Sequence, residues 1–268
     1  MPLQRNETPC EIVPGKKRNG PSKTRRVRRE EIIGRANRAG GGQDEFFEAS
    51  VTAKRIFDMV FSATGLLLTA PFFLFIAWRI KREDGGPVFF LGKRVGRRGH
   101  MFRIFKFRTM VVNAESIGGP STADDDPRIT TTGRRLRKYK LDELPQLINV
   151  VRGDMSIVGP RPEVKQYTDL FDEEEKQILS VRPGITDWAS IWNSDEGAVL
   201  ACAEEPEKTY MELIRPTKLK LQLKYVKEKS LWVDLKIIYL TVLAVLRPES
   251  QAVLDIRKLK VMDVHNER

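Results

Sequence analysis

Apolar positions along this chain come mostly in short runs, and one stretch stands apart. From Met59 to Trp78 twenty consecutive residues carry no charge, MVFSATGLLLTAPFFLFIAW. At about 1.5 Å per residue a straight helix of this length would just cross a bilayer core. Pro71 lies past its middle, where it removes a helical hydrogen bond and kinks or breaks the helix. Lys54 and Arg55 precede the stretch, and Arg79, Lys81 and Arg82 follow it. Positive flanks favour keeping both ends on the cytoplasmic side. A helix–break–helix that dips into one leaflet and returns satisfies both features; a kinked spanning helix and a buried core helix are the other readings. A cleavable signal peptide does not fit, because the stretch starts far into the chain and has no cleavage pattern.

The pattern elsewhere is more broken. Residues 1–40 hold eleven Lys/Arg against four Glu, a net of +7, in a Gly/Pro-rich opening without apolar periodicity. A tail without regular structure is expected over 1–45. After the apolar stretch, Gly85-Gly86-Pro87 turns the chain into a short strand or extended run at Val88–Leu91. Gly92 to His100 is basic and turn-rich, with glycine spacing but no Walker Lys-Ser/Thr ending, so it is a weak nucleotide-loop signal. Met101 to Met110 sets Phe102, Ile104, Phe105 and Phe107 among Arg103, Lys106 and Arg108; a strand and an interfacial helix both fit. Leu231–Lys236 leads into the apolar run Ile237–Leu246. That segment reads as an amphipathic helix on a membrane, a core helix or a second short dip. No internal repeat is present.

Composition narrows the chemistry. With 268 residues, 41% of them hydrophobic, the chain can build one substantial domain with appendages. Its net charge of +11 raises a nucleic-acid binder as one class. Cys10 and Cys202 are the two cysteines and lie far apart, which excludes a disulfide framework and zinc spacing and fits a reducing compartment. His100 and His265 are the only histidines, so covalent catalysis would use a carboxylate, a hydroxyl or a lysine. Asp124-Asp125-Asp126-Pro127 looks like a metal cluster, but such a run before proline is more often a solvated loop. Arg152-Gly153-Asp154 reads as accidental, since nothing suggests secretion.

The chemistry concentrates in Leu141-Asp142-Glu143-Leu144-Pro145-Gln146. Two adjacent carboxylates stand where the helical spacing of Leu144, Leu147, Ile148 and Val151 begins, with Asp142 as the expected N-cap. Arg134, Arg135, Arg137, Lys138 and Lys140 precede them, and Arg152 and Arg161 follow. Carboxylates among cations near a helix start suggest phosphoryl chemistry. The bland alternative is a capped helix with a solvated charged face.

Seven segments decide between these readings. KRIFD (Lys54–Asp58), the Pro-interrupted apolar stretch, GPVFF (Gly86–Phe90), KFRTM (Lys106–Met110), DPRIT (Asp126–Thr130), LRKYKLDELPQLINVVRGDMSIVGPRP (Leu136–Pro162) and RPGIT (Arg182–Thr186) stand in one order. In these the chain resembles the bacterial sugar transferases, the monotopic polyprenol-phosphate phosphoglycosyl transferases, over about Lys54 to Arg247. The resemblance implies transfer of a sugar-1-phosphate from a UDP-sugar to undecaprenyl phosphate with release of UMP, as the first membrane step of glycan biosynthesis. Asp142 matches the family nucleophile and Glu143 its dyad partner, with Mg²⁺ bridging Asp142 or Glu143 and the pyrophosphate. Lys106, Arg137 and Arg161 match basic positions near the phosphates, and Arg161 lies on a stiff Pro160–Pro162 loop suited to bidentate phosphate contact. The alternative, a basic membrane-associated binding protein without catalysis, loses ground because the basic excess lies largely in the tail and no nucleic-acid motif appears.

The expected architecture is a helix-rich α+β single domain on the cytoplasmic face of a bacterial inner membrane. It comprises a tail (1–45), a Pro-broken re-entrant helix (50–83) with Pro71 at the break, a catalytic domain with interfacial amphipathic helices (84–248), and a C-terminal tail (249–268). Its partners are the UDP-sugar, undecaprenyl phosphate and membrane lipid, without nucleic acid; a homo-oligomer stays open. Two departures from the family stand out. Ala70-Pro71 replaces the frequent Ser-Pro, leaving Thr69 to supply a hydroxyl to the carbonyls that proline frees. After RPGIT many members continue with Gly and Gln-Val-Asn, whereas this chain has Asp187-Trp188-Ala189-Ser190-Ile191-Trp192-Asn193, so sugar identity does not transfer.

Overall fold

A computed structural model of the chain describes residues 23–117, 122, 125–194, 196–201, 203, 205–247 and 249–262. Cys10, Cys202, Asp124 and His265 fall outside these. Two units divide the chain, Met1–Thr52 and Ala53–Arg268. In order the elements are α1 (Lys23–Asp84), β1 (Phe89–Val95), β2 (Met101–Phe107), α2 (Ala114–Ile117), α3 (Thr131–Lys138), α4 (Gln146–Arg152), β3 (Ser156–Val158), α5 (Lys165–Thr168), β4 (Gly184–Thr186), α6 (Trp188–Trp192), α7 (Glu196–Ala201), α8 (Pro206–Thr209), α9 (Arg215–Glu228), α10 (Leu231–Leu246) and α11 (Gln251–Met262). The protein is thus helix-rich α+β. The expected tail departs from this in part: residues 1–22 lie outside the description, but from Lys23 the chain is helical. Arg, Ala and Glu are good helix formers and need no apolar stripe to adopt that state.

Within the second unit, α1 shows two faces. Asp58, Ser62, Ile76 and Ile80 are buried, and Lys54, Gly65, Thr69 and Phe73 are half-buried between them. Their spacing of three and four residues is one helical stripe. The rest of the apolar surface has no protein over it: Leu67 is 77% exposed, Leu68 75% and Leu74 74%. The helix assignment runs through Pro71, where the sequence led us to expect a break. Proline has no N–H to give the Leu67 carbonyl. The Thr69 hydroxyl, expected to serve a carbonyl that proline frees, donates to Gly65 O at 2.7 Å and not to Leu67 O.

The remaining elements frame a compact floor beside this helix. β1 and β2 form an antiparallel hairpin, Phe89 opposite Phe107 and Val95 opposite Met101, so Met101–Phe107 is a strand rather than an interfacial helix. Asn149 of α4 extends its ladder: its Oδ1 accepts from Phe105 N and its Nδ2 donates to Arg103 O, both at 2.8 Å. β3 and β4 pair in parallel, Ser156 with Gly184 and Val158 with Thr186. A Cβ on Gly184 would fall 2.1 Å from Gly159 N, so glycine is what lets these backbones meet. Ile104, Val150, Met155, Ile157, Val158, Ile191, Tyr225, Ile237 and Leu240 form the principal core. The expected C-terminal tail instead contains α11, whose Val253 is fully buried.

α10 repeats the two-faced design. Asp234, Ile237 and Leu240 are buried, whereas Trp232, Leu235, Tyr239, Val242 and Leu246 form an exposed apolar stripe.

Candidate active site

The two carboxylates do not cap a helix. Leu141–Glu143 forms a 3-10 turn, and Pro145 occupies the N-cap of α4. A proline one residue before α4 fits this frame, because its fixed φ suits helix entry and its missing N–H costs nothing there. Asp142 is consequently not the cap the spacing predicted. Lys140 enters the turn in the left-handed region, φ 55° and ψ 22°, a conformation that non-glycine residues adopt at a cost.

The side chains of the dyad have opposite surroundings. Glu143 Oε1 accepts from Lys106 Nζ of β2 at 2.9 Å and from Arg161 Nη2, and its Oε2 accepts from Arg161 Nη1 at 2.9 Å. Burial would raise the Glu143 carboxyl, but the Arg161 and Lys106 charges outweigh it and hold it well below the usual carboxylate range. Asp142 is 7% exposed, and its Oδ1 is buried without a hydrogen-bond partner. Burial, and then the Glu143 charge, push its carboxyl up, against the pull of Lys106, Arg137 and Arg161. Burial also lowers the Lys106 ammonium, with Arg161 adding to it and the two carboxylates opposing. One acid is neutralised in place while its neighbour stands bare beside the same cations.

Each predicted basic residue reaches this cluster by a different route. Lys106 comes from the hairpin and Arg161 from the loop after β3. Arg137, on α3, donates from Nε to Thr109 Oγ1 at 3.0 Å, and its charge acts on Asp142. The Arg161 loop is fixed from several sides. Gly159 N donates to Thr186 O at 3.0 Å, Gly184 N to Pro160 O at 2.9 Å, and Val95 N to Glu163 O at 2.9 Å. Buried Lys218 holds the Glu163 carboxylate at 2.5 Å. Pro71, assigned to the membrane break, is not part of this cluster.

Sequence reasoning missed several supporting residues. Asn149, Asp187, Gln222 and Lys218 reach partners dozens of residues away, which no local pattern announces. The KRIFD segment matched the family but gave no roles, and here it is the anchor of α1. Lys54 Nζ lies 2.6 Å from Asp234 Oδ2 and donates to Val158 O at 3.2 Å. Asp58 accepts from Ser156 Oγ at 2.8 Å and from Ile157 N at 3.2 Å. Arg55 donates to Val150 O at 2.6 Å and Val151 O at 3.0 Å, binding carbonyls of the last turn of α4. The helix that follows the dyad is therefore tied to the apolar helix.

The donor set suits a hard divalent cation. Asp142 offers a free buried oxygen, whereas both Glu143 oxygens are already engaged and one would have to be released. No cluster of three His, Cys, Asp or Glu occurs among the described residues, so phosphate oxygens and water would complete the shell, as is usual for Mg²⁺. Asp126, from the acidic run, instead grips Arg128, with Oδ2 2.6 Å from Nη2.

The sequence around this cluster is shared with known proteins. The family described as bacterial sugar transferase matches residues 49–248. An Aeromonas hydrophila UDP-N-acetylgalactosamine-undecaprenyl-phosphate N-acetylgalactosaminephosphotransferase is 38% identical over 196 residues, 72% of this chain and 43% of that protein. The Escherichia coli (strain K12) UDP-glucose:undecaprenyl-phosphate glucose-1-phosphate transferase is 37% identical over 198 residues, 70% of this chain and 39% of its own. The exopolysaccharide production protein ExoY of Sinorhizobium fredii is 35% identical over 208 residues, 72% of this chain and 85% of its own. The chain thus spans about two-fifths of the length of the first two relatives and most of the third. The match over residues 49–248, three-quarters of the chain, places it in the bacterial sugar transferase family.

Proposed function

We propose that the protein transfers a sugar-1-phosphate from a UDP-sugar to undecaprenyl phosphate and releases UMP. The observation that carries this reading is Asp142 Oδ1, buried, unpartnered and set against three cationic side chains. An Asp142 carboxylate oxygen bonds to the β-phosphorus as the bond from that phosphorus to the bridging oxygen breaks, and UMP leaves with the electron pair. An oxygen of undecaprenyl phosphate then attacks the same phosphorus and frees the carboxylate, giving the lipid diphosphate sugar. Splitting the transfer avoids bringing two bulky anions together in one step. Arg161, Lys106 and Arg137 supply the positive field in which charge shifts between phosphate oxygens. Asp142 and Glu143 would hold Mg²⁺, which supplies charge neutralisation at the pyrophosphate.

The membrane reading follows from the two-faced helices. Lys54 and Asp58 before Pro71, and Ile76 and Ile80 after it, pack on the same catalytic unit. A spanning helix would place these groups on opposite sides of the bilayer, and a polar catalytic unit cannot follow it through. We therefore read α1 as re-entrant from the cytoplasmic face, with the exposed stripe of α10 lying in the interface.

The test is UMP release from a panel of UDP-sugars with undecaprenyl phosphate and Mg²⁺. Release with at least one donor is expected; none with any donor overturns the proposal. Incubation without lipid should also leave the mass of a sugar phosphate on the peptide containing Asp142, and an adduct elsewhere would reassign the nucleophile.

A further inference from the structure

Asp187 is fully buried. Its carboxylate has two duties, one on each oxygen. Oδ1 caps α6, accepting from Ser190 N and Ser190 Oγ, both at 2.7 Å. Oδ2 accepts from the backbone N–H of Arg161 at 3.2 Å and from Gln222 Nε2 at 3.3 Å. Gln222, fully buried on α9, also donates to Arg161 O at 3.4 Å. Both polar groups of the Arg161 main chain are thus held by one buried pair of side chains. The guanidinium at the other end of Arg161 reaches Glu143 and the Ile185 carbonyl.

We infer that Asp187, seconded by Gln222, is a positioning residue that fixes the main chain of Arg161 and so aims its guanidinium at the donor's phosphates. The assignment rests on the phosphate role proposed for Arg161.

The chemistry of an amide separates the two duties. Asparagine is isosteric with aspartate but has one acceptor oxygen. In Asp187→Asn that oxygen can serve the α6 cap, which leaves an NH₂ facing the two donors from Arg161 and Gln222. The cap survives and the clamp breaks. Serine at 187 would likewise cap without clamping. Gln222→Met removes the other half of the clamp, both bonds of its Nε2, with a side chain of similar length and without an unpartnered oxygen.

The experiment uses the full chain in nanodiscs with Mg²⁺ and UMP as the probe, by titration calorimetry, in a cycle with Arg161→Ala. Asp187→Asn should weaken UMP binding about tenfold, and Gln222→Met less, with melting temperatures close to wild type. In the Arg161→Ala background neither change should weaken binding further, because a clamp has no effect once the group it aims is gone. Turnover with an active donor should show the same split, a raised donor KM with the KM for undecaprenyl phosphate unchanged. Unchanged binding in Asp187→Asn, or losses that add to that of Arg161→Ala, would overturn the inference and mark Asp187 as a helix cap alone. If Asp187→Asn fails to fold, Gln222→Met and its double variant decide on the same criterion. Wild-type binding that Arg161→Ala leaves intact would instead defeat the phosphate role on which the inference stands.

Discussion

The apolar helix α1 and the dyad turn are made of opposite materials, yet each leaves one kind of surface without a protein partner. Along α1, leucines and aromatics stand open over most of the circumference, while the polar groups of Lys54, Arg55 and Asp58 are bonded to the catalytic unit. At the dyad the reverse holds. Apolar Leu141 packs inward, Glu143 is bonded on both oxygens, and one carboxylate oxygen of Asp142 is left with nothing. Unburied apolar surface and unbonded buried polar atoms are both costly in water. On the proposed function, what each region lacks corresponds to what it would meet: hydrocarbon along α1, a cation or phosphorus at Asp142.

The largest effect should come from neutralising the bare oxygen. Asp142→Asn removes the nucleophilic charge but keeps shape, so turnover should fall by about four orders of magnitude or more. Stability should hold or rise, because burial already disfavours the charge there and no cap or hydrogen bond at Oδ1 is lost. Thermal melting with an activity assay checks both. A fall in melting temperature as large as the fall in rate would mean that the oxygen is structural. Glu143→Gln should also be severely impaired but should leave Lys106 and Arg161 without their counter-charge, so here stability should drop.

Arg161→Ala should come next. It deletes a charge-assisted contact without opening a core, and a loss of about 2–4 kcal/mol in transition-state stabilisation is expected. Wild-type turnover in the variant would remove Arg161 from the site. A backbone counterpart is Gly184→Ala. The added methyl group would meet Gly159 N, far inside contact distance, so the loop carrying Arg161 must shift, and both stability and donor KM should suffer.

Why some of this was legible beforehand follows from range. Asp142, Glu143 and Arg161 lie in dense local motifs, and the Met59–Trp78 stretch declares itself by length. The roles of Asp187, Gln222 and Asn149 are not legible in this way, even with Asn149 inside a motif, because they depend on partners 26 to 61 residues away. β3 and β4, three residues each, are too short for a period-two signal. α11 hides because, among its described residues, one fully buried anchor, Val253, with half-buried Ile256 gives no long stripe. The N-cap assigned to Asp142 failed because Lys140, in a left-handed conformation, starts a 3-10 turn ahead of the helix, which no periodicity reports.

On the membrane side the comparison breaks if α1 spans. Cysteines placed after Thr52 and after Arg82 should both label from the cytoplasm. Pro71→Leu should shift the second to the far side in a fraction of molecules, since a continuous twenty-residue apolar helix is long enough to cross. Opposite-side labelling of the wild type would establish a spanning helix. For α10, Trp232→Ser with Tyr239→Ser should reduce vesicle binding while leaving the core intact, because both side chains lie on its exposed stripe.

The smallest effect concerns a carboxylate with the opposite fate to Asp142. Asp126 is gripped by Arg128, which holds its carboxyl below the ordinary value. A folded-state value lower than the unfolded one stabilises the protein above the unfolded value, about pH 3.9, and that contribution fades as pH falls through the lower, folded value. The pair secures the loop in which Ile129 N donates to Asp126 O at 3.0 Å and Val111 N to Arg128 O at 2.9 Å. Amide exchange at Ile129 and Val111 should therefore stay slow at about pH 5 and accelerate as Asp126 takes up its proton below about pH 3.9. In Arg128→Gln exchange should already be faster at pH 5 and gain less on acidification, because the carboxyl has lost the charge that depressed it. Equal acid sensitivity in both proteins would show that Arg128 does not set the titration of Asp126. The loop would then be held by its backbone bonds alone, and Asp142 would lose its paired counterpart within the same molecule.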